Sequence, residues 1–93
     1  MYAATLRLEL RIDGCRTART RRRRVEAILA KLHKHFNVSA AEVGRGDHAI
    51  EAVVAFAAVA ATRREARDRL ARVADALDAH PRAEVVSREF AEV

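Results

Sequence analysis

The hydrophobic residues of this 93-residue chain change their spacing in a set order, and that order limits the folds open to it. From Thr5 to Ile12 the apolar side chains fall at every second position, which predicts a half-buried strand that Asp13-Gly14 ends. A stripe with helical spacing follows, and the later pattern reads strand, strand, helix, strand. The sequence therefore predicts the order βαββαβ in a single domain over residues 1–93.

Two amphipathic helices are predicted. The first runs from about residue 18 to 35, with Thr17 as a plausible N-cap. Its apolar stripe is formed by Val25, Ile28, Leu29, Leu32 and Phe36. The second opens on the capping box Thr62-Arg63-Arg64-Glu65 and stops before His80-Pro81. Its stripe is formed by Ala66, Leu70, Val73, Ala74 and Leu77.

Three further strands complete the pattern. The second is predicted over Phe36–Val43, with the tetrapeptide 44–47, Gly-Arg-Gly-Asp, as a turn. The third runs from His48 to Ala60, and because the chain is apolar at every position from Ala52 to Ala61, both faces of this strand should be covered. The fourth lies between Ala83 and Val93.

This order predicts an α+β class and a ferredoxin-like βαββαβ sandwich, a four-stranded antiparallel sheet with two helices on one face. The other face stays open in one copy of the chain. It would carry Val53, Ala55, Ala57 and Val59 of the third strand. An apolar face of this kind favours a homodimer, although alanines also tolerate exposure to solvent.

The charge of the chain is concentrated in its first half. The net charge is +5, of which residues 1–37 contribute +7 and residues 38–93 contribute −2. Six arginines fall within nine residues at the predicted start of the first helix: Arg16, Arg19, Arg21, Arg22, Arg23 and Arg24. This asymmetry points to an anionic partner for the first half of the chain.

The position of these arginines is electrostatically poor, because the first turns of a helix carry the positive end of its dipole. Glu26 can relieve part of the repulsion through Arg22 or Arg23. Arg21 precedes Val25 by four residues on the core stripe, so we expect it to extend beyond the sheet edge or to snorkel.

A phosphate group at this position would be held by free backbone N–H groups and guanidinium forks. The sequence therefore predicts a nucleic-acid or phosphate site formed by Arg16, Arg19, Arg21, Arg22 and Arg23. The alternative is a solvated basic face. Because the chain lacks the sheet aromatics and the glycine loops of base-reading domains, contacts would be to phosphate and shape.

Catalytic and metal-binding patterns are weak. Cys15 is the single cysteine and more plausibly fills a loop than acts as a nucleophile. His33 and His35 are about 200° apart on a helix and cannot chelate one ion. Carboxylates flanking the second turn, Glu42, Asp47 and Glu51, are typically solvated. We therefore expect no catalytic residue, no metal and no cofactor.

The expected compartment is the cytoplasm. No apolar run approaches the roughly 18 residues of a membrane span, and the start of the chain lacks the pattern of a signal peptide. A single cysteine also excludes an internal disulfide framework.

The chain resembles the bacterial YlxP-like proteins, a small family of unknown function, over nearly its whole length. The most specific match is Phe36-Asn37-Val38-Ser39-Ala40-Ala41-Glu42-Val43-Gly44 followed by Asp47. The segments 6–12, 15–22 and 80–86 are also similar to the family's pattern. Departures occur at Ala18, Arg24, Arg45 and Ala49, and the basic positions that match are Arg19, Arg21 and Arg22.

The resemblance implies a ferredoxin-like fold, dimers and a role near RNA or the ribosome, since family genes often lie among translation genes. The leading hypothesis is a non-enzymatic RNA- or ribosome-associated accessory factor. One rival is a protein-interaction or regulatory module that acts through the sheet face. The other is an acylphosphatase-like enzyme in which Arg16 holds phosphate and Asn37 orients water.

Overall fold

The computed structural model describes residues 1–45 and 50–93, and in these residues the chain has the predicted order. The first half consists of β1 (Tyr2–Ile12), α1 (Ala18–Phe36) and β2 (Ser39–Arg45). The second half consists of β3 (Glu51–Ala60), α2 (Arg63–Asp78) and β4 (Ala83–Glu92).

The four strands form one antiparallel sheet in the order β2-β3-β1-β4. In the centre of the sheet, Leu6 of β1 lies opposite Phe56 of β3 on one side and Phe90 of β4 on the other. The two consecutive βαβ units thus interleave, which leaves β2 and β4 as the edge strands. The ferredoxin-like α+β fold predicted from the sequence is confirmed.

The core lies between the sheet and the two helices because the period-two pattern places every second side chain of β1 and β3 on the helix side. The members from β1 are Ala4, Leu6, Leu8, Leu10 and Ile12, and those from β3 are Ala52, Val54, Phe56 and Ala58. All five residues of the predicted α2 stripe are buried against them. On α1 the stripe is only partly covered, since Ile28 and Phe36 remain half-buried.

Both predicted N-caps are confirmed. The Thr17 hydroxyl accepts a hydrogen bond from the Thr20 N–H at 3.2 Å, and the Thr62 hydroxyl accepts one from the Glu65 N–H at 3.1 Å. These bonds satisfy backbone donors that the first turn of a helix leaves without partners, so they fix where α1 and α2 begin.

The predicted start of β2 at Phe36 is wrong, because Phe36 is the last residue of α1. Asn37 takes the left-handed conformation, with φ of 56°, and its N–H donates to the His33 carbonyl. Asparagine tolerates this conformation, so it ends the helix and delays the strand to Ser39. The predicted turn at 44–47 is wrong for its first half, because Gly44 and Arg45 continue β2. Residues 46–49, which hold the rest of that turn and the predicted start of the third strand, lie outside the described residues.

The second face of the sheet is open in the single chain. On it, Val53, Ala55 and Ala57 of β3 are half-buried and Val59 is 56% exposed. Within one copy of the chain, the helices therefore cover one face of β3. The expectation that both faces are covered is not met by the single chain. Among the described residues, neither helix is long and apolar enough to cross a membrane.

Candidate functional site

The arginines at the start of α1 occupy three different environments. Four of them are exposed: Arg16 in the loop before the helix, and Arg19, Arg22 and Arg23 on its first two turns. We call these four residues the arginine surface. Within the part of the chain that the structure describes, none of the four forms an ion pair with a carboxylate.

Arg21 is buried instead, with 2% of its surface exposed, so the expectation that it snorkels or extends beyond the sheet is wrong. Its Nη2 lies 3.7 Å from Oε1 of Glu42 on the neighbouring edge strand β2. Arg21 points inward because it occupies the core stripe of α1, one turn before Val25. The carboxylate of Glu42 compensates its charge there.

This buried pair is incompletely hydrogen-bonded. Nε and Nη2 of Arg21 and Oε2 of Glu42 are buried without a hydrogen-bond partner among the described residues. Sequence reasoning missed Glu42 as the partner of Arg21, although an arginine on a core stripe is itself a signal that a carboxylate lies nearby. Arg21 therefore joins α1 to β2 and is not accessible from the surface.

Arg24 stabilises the turn between β1 and α1. Its Nη1 donates a hydrogen bond to the backbone carbonyl of Asp13. The adjacent Gly14 has φ of +74°, and a Cβ atom placed there would lie 3.0 Å from the same Nη1 atom. A side chain at residue 14 would therefore crowd the guanidinium, which would have to shift.

The electrostatic environment of the arginine surface differs from that of the other helix start. The first turn of α1 contains no acidic residue, whereas the first turn of α2 contains Glu65. At α2, Arg63 lies 3.9 Å from Glu92 and Arg64 lies 3.8 Å from Asp68. The expected relief of Arg22 or Arg23 by Glu26 is not observed among the described ion pairs. The positive charge of the arginine surface is thus not paired with any carboxylate of residues 1–45 and 50–93.

The cysteine and two of the histidines considered as catalytic or metal-binding candidates make contacts within the fold. Cys15 is buried in the core at 7% exposure. The Nδ1–H of His33 donates to the Val38 carbonyl at 2.6 Å, and Nδ1 of His80 accepts from the Arg82 N–H at 3.1 Å. Over residues 1–45 and 50–93, no three histidine, cysteine or acidic side chains are grouped so that they could hold a metal ion.

Arg16 and Asn37 lie at opposite ends of α1. The helix between them has 19 residues. At 1.5 Å per residue this corresponds to about 28 Å. The two side chains therefore cannot act on one phosphate group within a single chain, which removes the pairing expected for an acylphosphatase-like site.

These features define a small α+β domain with a ferredoxin-like sheet and with exposed arginines at the start of its first helix that no carboxylate of residues 1–45 and 50–93 pairs with. The sequence profile of the family described as "Protein of unknown function (DUF503)" matches residues 3–90. The chain belongs to this family, which confirms the resemblance to the YlxP-like proteins. No curated protein sequence matches the chain.

Proposed function

We propose that this protein is a cytoplasmic, non-enzymatic accessory factor that associates with RNA or the ribosome by holding backbone phosphates. The arginine surface supplies the contacts. The observation that carries this proposal is that four exposed guanidinium groups at one helix start have no carboxylate partner among the described residues, while the other helix start is compensated.

The arrangement of the arginine surface is electrostatically unfavourable without a ligand. An exposed cation at the positive end of a helix dipole costs about 0.3–1 kcal/mol, and four neighbouring cations also repel one another. A phosphate group reverses both effects because it accepts hydrogen bonds from guanidinium groups and from the free N–H groups of the first turn. The arginine surface is therefore suited to a polyanion.

The open sheet face supports contacts to phosphate over contacts to bases. The described residues of β1 and β3 that face this side include Thr5, Arg7, Ala55 and Ala57, and none of them is aromatic. Phe56 and Phe90 lie on the helix side, against Leu6. RNA-binding sheets read bases by stacking them on aromatic side chains, so we expect little sequence preference.

Co-sedimentation with ribosomal subunits, between about 50 and 500 mM salt, tests the proposal. The informative variant is Arg22→Gln/Arg23→Gln, because Arg21 is buried and its replacement would disturb the fold. We expect the wild-type association constant to fall steeply with salt. The double variant should bind more weakly, with the slope of log K against log salt reduced by about 2.

The matched control is Arg64→Gln/Arg72→Gln, which removes the same charge from exposed positions of α2. We expect it to bind ribosomal subunits like wild type. Absence of binding at the lowest salt concentration, or an equal loss in both double variants, would contradict the proposal, since the loss would then reflect net charge alone.

The open sheet face favours a second role, as the interface of a homodimer. Val53, Ala55, Ala57 and Val59 form an apolar strip along β3, next to the small residues Ser39 and Ala41 of β2. Such a strip tolerates close packing against another sheet. In this arrangement the arginine surface belongs to the helix side and stays accessible in both copies.

A further inference from the structure

A groove separates the second half of α1 from the end of α2. Its volume is about 740 Å³. The floor is apolar and is formed by Ile28, Leu32, Phe36, Ala76 and Leu77. Because Ile28, Leu32 and Phe36 follow one another at four-residue spacing, they form a continuous line along α1. Ile28 and Phe36 at the two ends of this line are half-buried, and Leu32 between them is buried.

The border of the groove is basic. Lys31, Lys34 and His35 lie on the α1 side and His80 lies on the α2 side. None of the described lining residues is acidic, and neither lysine belongs to an ion pair within residues 1–45 and 50–93. The acidic side chain nearest in sequence to His80, Asp78, is bound to Arg88 at 2.7 Å. No carboxylate in the described part of the chain therefore pairs with the lysines at this border.

Two contacts hold the histidines in place. Nδ1 of His80 accepts from the Arg82 N–H, which leaves its Nε2 as the hydrogen-bond donor of the ring. The ring of His35 packs edge-on against Phe36, with centroids 4.7 Å apart. The groove thus combines an apolar floor with lysine cations on the α1 side and a histidine N–H donor on the α2 side.

We propose that this groove binds an acidic amphipathic helix of a partner protein. A helix with apolar residues at three- and four-residue spacing would place them along the line of Ile28, Leu32 and Phe36. Carboxylates beside that stripe would meet Lys31 on one side and His80 on the other. The groove is open to solvent along its length, so a small amphiphile would keep much of its surface in water, which favours a helix.

This interaction is separate from the proposed phosphate contacts. The groove lies on the second half of α1, and the arginine surface lies at its beginning. The two proposals are therefore tested by variants of different residues, and a result that contradicts one does not contradict the other.

A display library of helical peptides tests the inference. Each peptide has about 18 residues, which is long enough for appreciable helix formation. One apolar face is fixed at helical spacing, and every other position varies among Glu, Lys, Gln and Ala. Selection on the whole protein should enrich Glu at the positions that flank the apolar face. With a selected peptide, amide NMR shifts should map to segments 28–36 and 76–80.

Affinity measurements with the selected peptide then separate the groove from net charge. We expect Lys31→Gln/Lys34→Gln to weaken binding about fivefold, because two surface charge contacts are lost. Arg64→Gln/Arg72→Gln removes equal charge elsewhere and should leave affinity unchanged. Both pairs are exposed, so the fold is not at risk.

Three results would overturn the inference. One is a selection that enriches Lys-rich peptides or that enriches no peptide at all. Another is amide shifts at the arginine surface instead of the groove. The third is occupation of the groove by sodium dodecanoate or by a second copy of the chain, in the absence of any selected peptide.

Discussion

Replacing Glu42 should destabilise this protein far more than replacing Arg21, although the two form one ion pair. The reason is their unequal access to water: 2% of the Arg21 side chain is exposed, against 19% of the Glu42 side chain. When Arg21 is removed, the remaining Glu42 side chain is partly exposed to solvent, although its Oε2 atom stays buried. When Glu42 is removed, the guanidinium stays buried without an opposite charge.

The size of the effect follows from the geometry. Two unit charges 3.7 Å apart attract each other by about 4 kcal/mol at an effective dielectric constant of roughly 20. Glu42→Gln removes this attraction and leaves a buried cation, so the free energy of unfolding should fall by about 3–5 kcal/mol. Arg21→Met removes a guanidinium that already has two unpartnered nitrogen atoms. Its cost should be smaller, about 1–2 kcal/mol, because what remains is one buried carboxylate oxygen on a side chain that is partly exposed.

Urea and thermal unfolding of the two single variants and the double variant provide the assay. For a domain of this size, a loss of about 3 kcal/mol lowers Tm by roughly 12–24 °C. Arg21→Met/Glu42→Gln should recover most of that loss, because the buried cation is gone. Glu26→Gln, at an exposed position of α1, is the matched control and should change Tm little.

Equal losses in Arg21→Met and Glu42→Gln would refute this reasoning. They would mean that the pair stabilises the protein through mutual attraction that outweighs the burial of Arg21. A double variant as unstable as Glu42→Gln alone would also refute it, since the instability would then arise from β2 and not from an unpaired guanidinium.

Three further predictions concern the turn, a cap and the sheet face. Gly14→Ala should lower the free energy of unfolding by about 1–2 kcal/mol in urea, because of the positive φ and the contact with Arg24; Gly44→Ala, whose Cβ would meet ordinary contact distances, should cost less. Thr62→Ala should cost about 1 kcal/mol through the lost cap of α2, seen as a lower Tm. Sedimentation velocity should show a dimer for wild type and a monomer with an unchanged circular dichroism spectrum for Ala57→Glu; a wild-type monomer at high concentration would contradict the dimer.

The fold could be predicted from the sequence because its local signals agree. The alternation in β1, the stripe of α2 and the caps Thr17 and Thr62 all depend on neighbours within a few residues, and all are confirmed. The start of β2 could not be predicted in the same way. Phe36 fits both a helix stripe and an apolar strand, and only the left-handed conformation of Asn37 decides between them.

The environments of the arginines depend on contacts that no local pattern contains. Arg21 is buried because Glu42 lies beside it across the gap between α1 and β2, and these residues are far apart in sequence. Arg24 donates to the Asp13 carbonyl, beside Gly14, in the turn before the helix. An arginine run counted from the sequence therefore overstates the charge available to a ligand.

Arg21 and Arg24 are thus engaged within the fold, and the arginine surface is the part of the run that remains available to a ligand. Arg16, Arg19, Arg22 and Arg23 are exposed and lack carboxylate partners among the described residues, so their charge is not needed to hold the fold. The helix dipole opposes positive charge at this position, and these four charges do not stabilise the fold. Their presence therefore requires another explanation. A phosphate ligand supplies one, because the same arrangement that is unfavourable in the free protein becomes favourable in the complex.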